Sequence, residues 1–251
     1  MPGDSRAVSE VLGYVFVFSL VITSVAVFSV AGLDALQTAR DAEQVNNAER
    51  AFDLLSTNMN DIATRGAPSR STEIRLSDAQ LTLGDLVEFE FRLNTTGPGA
   101  NLSESFDVRP IEYTSPGRAS TIAYVAGAVI RTERQGGSVL TRPRIVASDD
   151  RLVVPLIQTR SRSGRSLAGG TVRVRATKAP SSTLNTTGPY DTVFMNVTSP
   201  RATEWNRMLS AYEAFSCTVD TTGATDRTVC EASSLQRVHV VLVPVDTVLE
   251  R

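Results

Sequence analysis

Hydrophobic and polar positions divide the chain into three segments with different periods. The first, Val11–Leu33, has no charged residue and is bounded by Glu10 and Asp34. As a helix it would span about 34 Å at about 1.5 Å per residue, slightly more than the roughly 30 Å hydrocarbon core of a bilayer. Its Val, Ile and Phe content favours a strand in water, but a single span isolated in lipid must be helical, because its backbone needs internal partners. The segment therefore predicts one transmembrane helix.

The second segment, residues 34–65, contains neither glycine nor proline and has a helical period. Its apolar residues recur at gaps of three and four: Val45, Ala48, Phe52, Leu55, Met59 and Ile62. This stripe predicts an amphipathic stalk helix that continues the span, allows a bend at Gly32, and ends at Gly66 and Pro68. We expect the stripe to pack on the protein's own body; a coiled-coil-like contact between subunits is the alternative. In the span, Ser19, Thr23 and Ala26 offer a strip of small residues for helix association.

Beyond Pro68 the period changes to two, which predicts strands with one buried face. The predicted strands are 73–83, 87–93, 106–113, 122–131, 152–158, 172–176, 192–198 and 238–245. Their turns are predicted at Gly97-Pro98-Gly99, Pro116-Gly117, Gly136-Gly137, Gly169-Gly170 and Gly188-Pro189. Pro155 and Pro244 are expected at edges or bulges. The fold class is α+β: a long N-terminal helix followed by an antiparallel β-sandwich-like body.

One late helix interrupts the strands of this body. Ser199 is expected to cap it and Pro200 to occupy its first position. Its apolar face would comprise Trp205, Met208, Leu209, Tyr212 and Phe215. Trp205 is expected to anchor the core.

Charge and composition give no sign of a nucleic-acid partner. The 251-residue chain has a formal net charge of −2, so it carries no global basic field. A stretch without acids, 151–190, includes the segment 158–170, which is expected to be a solvated basic loop. Lys178 is the only lysine.

Catalysis and metal binding have no support in the sequence. The single histidine, His239, lies in an apolar strand, and Asp149 and Asp150 would point to opposite sides of a strand. No phosphate loop, serine elbow or metal motif is present, so we expect neither an enzyme nor a cofactor.

Two further patterns bear on the compartment of the body. Cys217 and Cys230 would close a disulfide loop worth roughly 3 kcal/mol in an oxidising compartment, or remain two buried thiols. Four Asn-X-Ser/Thr sequons are candidate N-glycosylation sites of an exported protein: Asn94, Asn101, Asn185 and Asn196.

The N-terminus resembles a known family. The residues Arg6-Ala7-Val8-Ser9-Glu10-Val11-Leu12-Gly13, followed at once by the apolar run, resemble the start of archaeal type IV pilins, and haloarchaeal pilin-like proteins most of all. The resemblance implies a leader, 1–7, that prepilin peptidase removes at the Ala7–Val8 bond. It further implies an assembly helix, 8–33, a stalk, 34–65, and an extracellular body, 66–251. Glu10 would pair with the new α-amine of a neighbouring subunit, or would be a solvated residue of the first turn.

The expected function is therefore structural: a subunit anchored in the cell membrane, with a short cytoplasmic N-terminus and its body at the cell surface. The resemblance implies polymerisation with itself or other pilins, driven by an assembly ATPase and its membrane platform. Two alternatives stay open. One is a monomeric, membrane-tethered binding domain for adhesion, glycans or solutes, and the other is a secreted domain released by cleavage after Ala31.

Overall fold

A computed structural model describes residues 4–95, 101–115, 120–148, 150–161 and 166–251, with side chains except at 4–10, 34 and 185. The chain divides into an N-terminal unit, Met1–Asn46, and a second unit, Asn47–Arg251, which we call the body. This division falls inside the expected stalk rather than at either of its ends.

Helix α1 comprises Asp4–Thr64 and continues without interruption through Gly32. It ends where the sequence predicts, because Gly66 adopts a left-handed φ of 73° and Ala67 donates back to the Asp61 carbonyl over 3.2 Å. All six stripe residues, from Val45 to Ile62, are buried. A 3.6-residue period thus gave both the helix and its buried face.

The part of α1 that belongs to the body is fixed to the sheet by polar contacts as well as by its stripe. The Asn58 amide nitrogen donates to the Thr72 hydroxyl over 2.9 Å. Arg131 donates to the Glu49 carboxylate over 2.7 Å. These contacts place residues 49–58 against the sheet face that carries Thr72 and Arg131, so this part of the stalk packs on its own body.

The described residues form thirteen strands, joined in one sheet by hydrogen bonds. They are β1 Ser69–Leu83, β2 Val87–Asn94, β3 Leu102–Val108, β4 Ile111–Thr114, β5 Thr121–Val125, β6 Ala128–Glu133, β7 Gly136–Thr141, β8 Val146–Ser148, β9 Arg151–Ser161, β10 Ser166–Lys178, β11 Ser182–Thr198, β12 Ser216–Asp220 and β13 Arg227–Glu250. The main path of the sheet is β3-β2-β11-β13-β10-β1-β4-β5-β6-β7, and β12 and β9 also pair with β13, with β8 beside β9. The α+β class is confirmed.

Strand β13 is the centre of this sheet because it changes partners along its length. It pairs with β11 up to Leu242 and with β10 from Val245 onward. Pro244 lies at the change of partner, where its carbonyl accepts from the Ala179 amide over 3.0 Å. The expectation of an edge or bulge position for Pro244 was therefore wrong: a proline is tolerated in this central strand at the gap between two partners.

Several details of the body differ from the sequence-based expectations. β9 and β13 pair in parallel, so the sheet is only mostly antiparallel. Gly169-Gly170 lies inside β10, opposite an irregular register with β1, and Gly188-Pro189 lies at a register shift inside β11. Both pairs mark bulges rather than turns. Gly136-Gly137 begins β7, and the predicted turns at 97–99 and 116–117 lie outside the described residues.

Helix α2, Ala202–Leu209, begins later than expected, with Arg201 as its N-cap residue. Ser199 still serves the first turn, since its hydroxyl accepts from the Arg201 amide over 3.1 Å. Trp205 is fully buried and meets the Phe89 ring edge-on, with 5.2 Å between centroids. Tyr212 and Phe215 follow the helix in turns. The expected core anchor is therefore in place, on a shorter helix.

Candidate membrane anchor

The apolar segment of α1 exposes its side chains around its whole circumference. Its large hydrophobic residues are between 50% (Val15) and 78% (Phe28) exposed, and none is buried. Among the described residues, α1 is the one helix long and apolar enough to cross a membrane. Covering each such side chain is worth about 1.5–3 kcal/mol, so the bare segment in water costs on the order of tens of kcal/mol. The segment therefore requires a lipid or protein environment.

The helical backbone suits the segment to that environment. Within the segment, the Ser24 hydroxyl donates to the Leu20 carbonyl over 2.8 Å, so this polar group is satisfied inside the helix. Ser19, Thr23 and Ala26 are exposed, and their spacing puts them on one face of α1. Their role as a helix-association strip stays a prediction.

The residues of the expected leader site lie near the start of α1. The Ala7–Val8 bond and Glu10 have helical backbone, and their side chains lie outside the described set. Cleavage at this bond and the pairing role of Glu10 stay predictions.

Cys217 and Cys230 form a disulfide in the structure, with 4.1 Å between their Cα atoms. The two residues lie directly opposite each other in the antiparallel pair β12–β13. Cys230 is fully buried in the main core, so the bond ties the short strand β12 to the central strand. Such a bond persists in oxidising compartments.

The four sequons are not equivalent in the folded chain. Asn94 and Asn101 are exposed at the adjacent ends of β2 and β3. Asn196 is fully buried, and its amide donates to the Glu90 carboxylate over 2.8 Å. The expectation of an accessible acceptor at Asn196 was therefore wrong for the folded protein, because Glu90 and the Arg227 paired with it cover this amide. Asn185 lies in β11, and its side chain is outside the described set.

The basic stretch is built into strands rather than into a long solvated loop. Arg160 pairs with Asp246 over 3.3 Å, and Arg173 pairs with Glu73 over 2.9 Å. Arg175 pairs with Glu250. The loop expectation was wrong, since acids distant in sequence neutralise these arginines on adjacent strands; only 162–165 lie outside the described residues.

His239 and Asp150 both lie beside the β9–β13 pair of the body. His239 is half-buried in β13, between Asn185 of β11 and Val153 of β9. Hydrogen bonds from Arg237 and Ser148 hold the pKa of Asp150 below its usual range, so this carboxylate is an ion-pair partner. Among the described residues, no group of His, Cys, Asp or Glu is arranged to hold a metal ion.

Comparison with known proteins gives a family without a known function. A family model described as a family of unknown function, DUF7289, matches residues 6–248. The chain therefore belongs to this family, and the match includes the apolar helix together with the body. No curated protein and no solved structure matches the chain.

Proposed function

We propose that this protein is a pilin-like structural subunit of the cell surface. It is inserted in the membrane by α1, with residues before Val11 in the cytoplasm and the body outside. Prepilin peptidase removes residues 1–7, and the assembly ATPase with its platform then extracts the subunit into a filament. There the apolar helices of neighbouring subunits replace lipid.

The exposed apolar surface of Val11–Leu33 carries this proposal. A helix apolar on all sides is satisfied equally by lipid tails and by other apolar helices, so one surface can serve first as anchor and then as assembly element. The peptidase and the assembly machinery are inferred from the resemblance of the N-terminus to archaeal type IV pilins.

The Cys217–Cys230 disulfide supports the orientation. Thiols in the cytoplasm stay reduced, whereas this cross-strand bond joins both cysteines of the chain. A body on the outer side also gives Asn94 and Asn101 access to glycosylation, as exposed residues of an exported protein.

The test places one charge at the centre of the helix. Val21→Asp should lower the equilibrium constant for membrane insertion about 100-fold, since Asp at the centre of a span costs roughly 2.5–3.5 kcal/mol. Val21→Leu is the matched control and should insert like the wild type. The readouts are carbonate-resistant membrane association and electron microscopy of sheared surface material.

Two outcomes would contradict the proposal. Release of the wild-type chain from membranes by carbonate would remove the anchor role. Wild-type chains that stay in the membrane fraction and never appear in sheared filaments would indicate the tethered binding domain instead.

A further inference from the structure

The stretch from the end of β7 to the start of β8 presents a basic ridge, which we define as Leu140, Arg142, Arg144 and Val146. All four are exposed, while the intervening Pro143 and Ile145 are buried. The Tyr212 hydroxyl donates to the Pro143 carbonyl over 3.4 Å, which helps hold this extended segment. Among the described residues neither ridge arginine forms an ion pair, in contrast to Arg160, Arg173 and Arg175.

An acidic patch of matching composition lies on β2 and β3. We define it as Asp85, Leu86, Glu88 and Asp107, all exposed. Glu88 and Asp107 are directly opposite each other across the β2–β3 pair, and like charges in that position are destabilising. No carboxylate of the patch has an ion-pair partner within the described part of the chain. The described part of the body therefore holds two adjacent acids without an ion-pair partner.

Both surfaces combine charge with exposed apolar side chains. Among the described residues of the body, four large hydrophobic residues are exposed: Leu54, Leu86, Leu140 and Val146. Three of these four belong to the two surfaces, at 50%, 41% and 48% exposure for Leu86, Leu140 and Val146 respectively. Single exposed apolar residues are ordinary on a protein surface, so the opposite charges of the two surfaces carry the argument.

The two surfaces lie on different strands of the body. The patch lies on β2, β3 and the residues just before β2, and the ridge extends from β7 to β8. A single contact between a ridge and a patch leaves each copy with one free surface for the next copy.

We propose that the basic ridge of one body docks on the acidic patch of a second copy of this chain. Arg142 and Arg144 pair with Glu88 and Asp107 of the second copy, and Leu140 and Val146 cover its Leu86. The inference rests on the proposed function, since exposed ion pairs are individually weak and the membrane or filament must first bring the bodies together. It assigns lateral contacts to the body in addition to those of α1.

Zero-length cross-linking tests the contact directly, because Lys178 is the only lysine of the wild-type chain. Arg144→Lys keeps the charge and places an amine on the ridge. A mixture of ¹⁴N- and ¹⁵N-labelled full-length Arg144→Lys chains, treated with carbodiimide in membranes and in filaments, should give mixed-isotope peptides that join the introduced amine to Asp85, Glu88 or Asp107. Arg134→Lys is the matched control, since Arg134 is exposed just before β7 and outside the ridge, and should give at least tenfold fewer such peptides.

Charge reversal tests whether the contact is needed for filament formation. Arg142→Glu/Arg144→Glu and Glu88→Arg/Asp107→Arg should each reduce filament yield at least tenfold, and mixing the two variants should restore it, since each supplies the surface that the other has lost. Filaments that form normally with either variant, or cross-links from the introduced amine to other carboxylates or within one chain, would overturn this inference alone. Absence of protein cross-links from that amine in intact filaments would assign the ridge to anionic lipid or solvent and would also overturn it. Wild-type chains that never associate would overturn the proposed function as well.

Discussion

Leu54 and Leu55 are neighbours on α1 with opposite environments, and they test whether the stalk belongs to the body. Leu55 is 1% exposed and Leu54 is 52% exposed. Leucine and alanine have similar helix propensities, so Leu→Ala at either position changes packing and leaves the helix itself almost unaffected. The pair therefore isolates the contribution of one buried face.

The expected difference is large. Leu55→Ala should lower the free energy of unfolding by about 2–5 kcal/mol, because it removes buried methyl groups and leaves a cavity. Leu54→Ala should cost at most about 1 kcal/mol, since half of the side chain is already in water. For a domain of this size the first loss corresponds to a fall in Tm of about 5–20 °C.

Fluorescence of Trp205, the only tryptophan, reports this unfolding from the core of the body. The measurement is thermal unfolding of the full-length chain in detergent micelles, with the two variants compared under identical conditions. Equal shifts for Leu54→Ala and Leu55→Ala would refute the packing of the stalk on the sheet.

Three further predictions concern the body. Reduction of the Cys217–Cys230 bond should lower the free energy of unfolding by about 3 kcal/mol and Tm by about 6–12 °C. A Cys217→Ala/Cys230→Ala chain should not respond to reductant. A wild-type Tm that does not change with reductant would contradict this prediction. Gly127 has a φ of 90°, so Gly127→Ala should destabilise by about 1–2 kcal/mol in the same assay, and an unchanged Tm would contradict the turn geometry. Glycopeptide mass spectrometry should find glycan at Asn101 and none at Asn196, which is fully buried; a modified Asn196 would contradict its burial in the mature protein.

The part of the fold that could be predicted from the sequence was predicted from local periodicity. The spacing from Val45 to Ile62 gave the buried stripe of α1, and the alternation in Val87–Leu93 gave a strand with one buried face. Both patterns depend only on residues close in sequence. The apolar segment was predictable for the same reason, since a run without charge needs no tertiary context to be identified.

The features that could not be predicted depend on pairing between segments that are distant in sequence. The parallel β9–β13 pair joins strands separated by two long strands, a helix and β12, and no local pattern predicts such a partner. Asn196 begins a sequon, which suggested an accessible side chain. Its cover comes from Glu90, 106 residues away.

The glycine pairs were wrongly predicted as turns for a related reason. Gly169-Gly170 reads as a turn, but both glycines adopt positive φ inside β10, where the register with β1 is irregular. A bulge and a turn require the same backbone freedom, and only the partner strand distinguishes them. The ridge and the patch were also invisible in the sequence, because whether an arginine or a carboxylate lacks a partner depends on which strands lie beside it.

The most direct test of the account is the N-terminal residue of the mature chain, read by mass spectrometry of protein purified from membranes and from sheared filaments. The account predicts a chain that begins at Val8, retains Val11–Leu33, and keeps its leader when Ala7 is replaced in Ala7→Trp. A mature chain that begins at Gly32, or one that still begins at Met1 or Pro2, would contradict it.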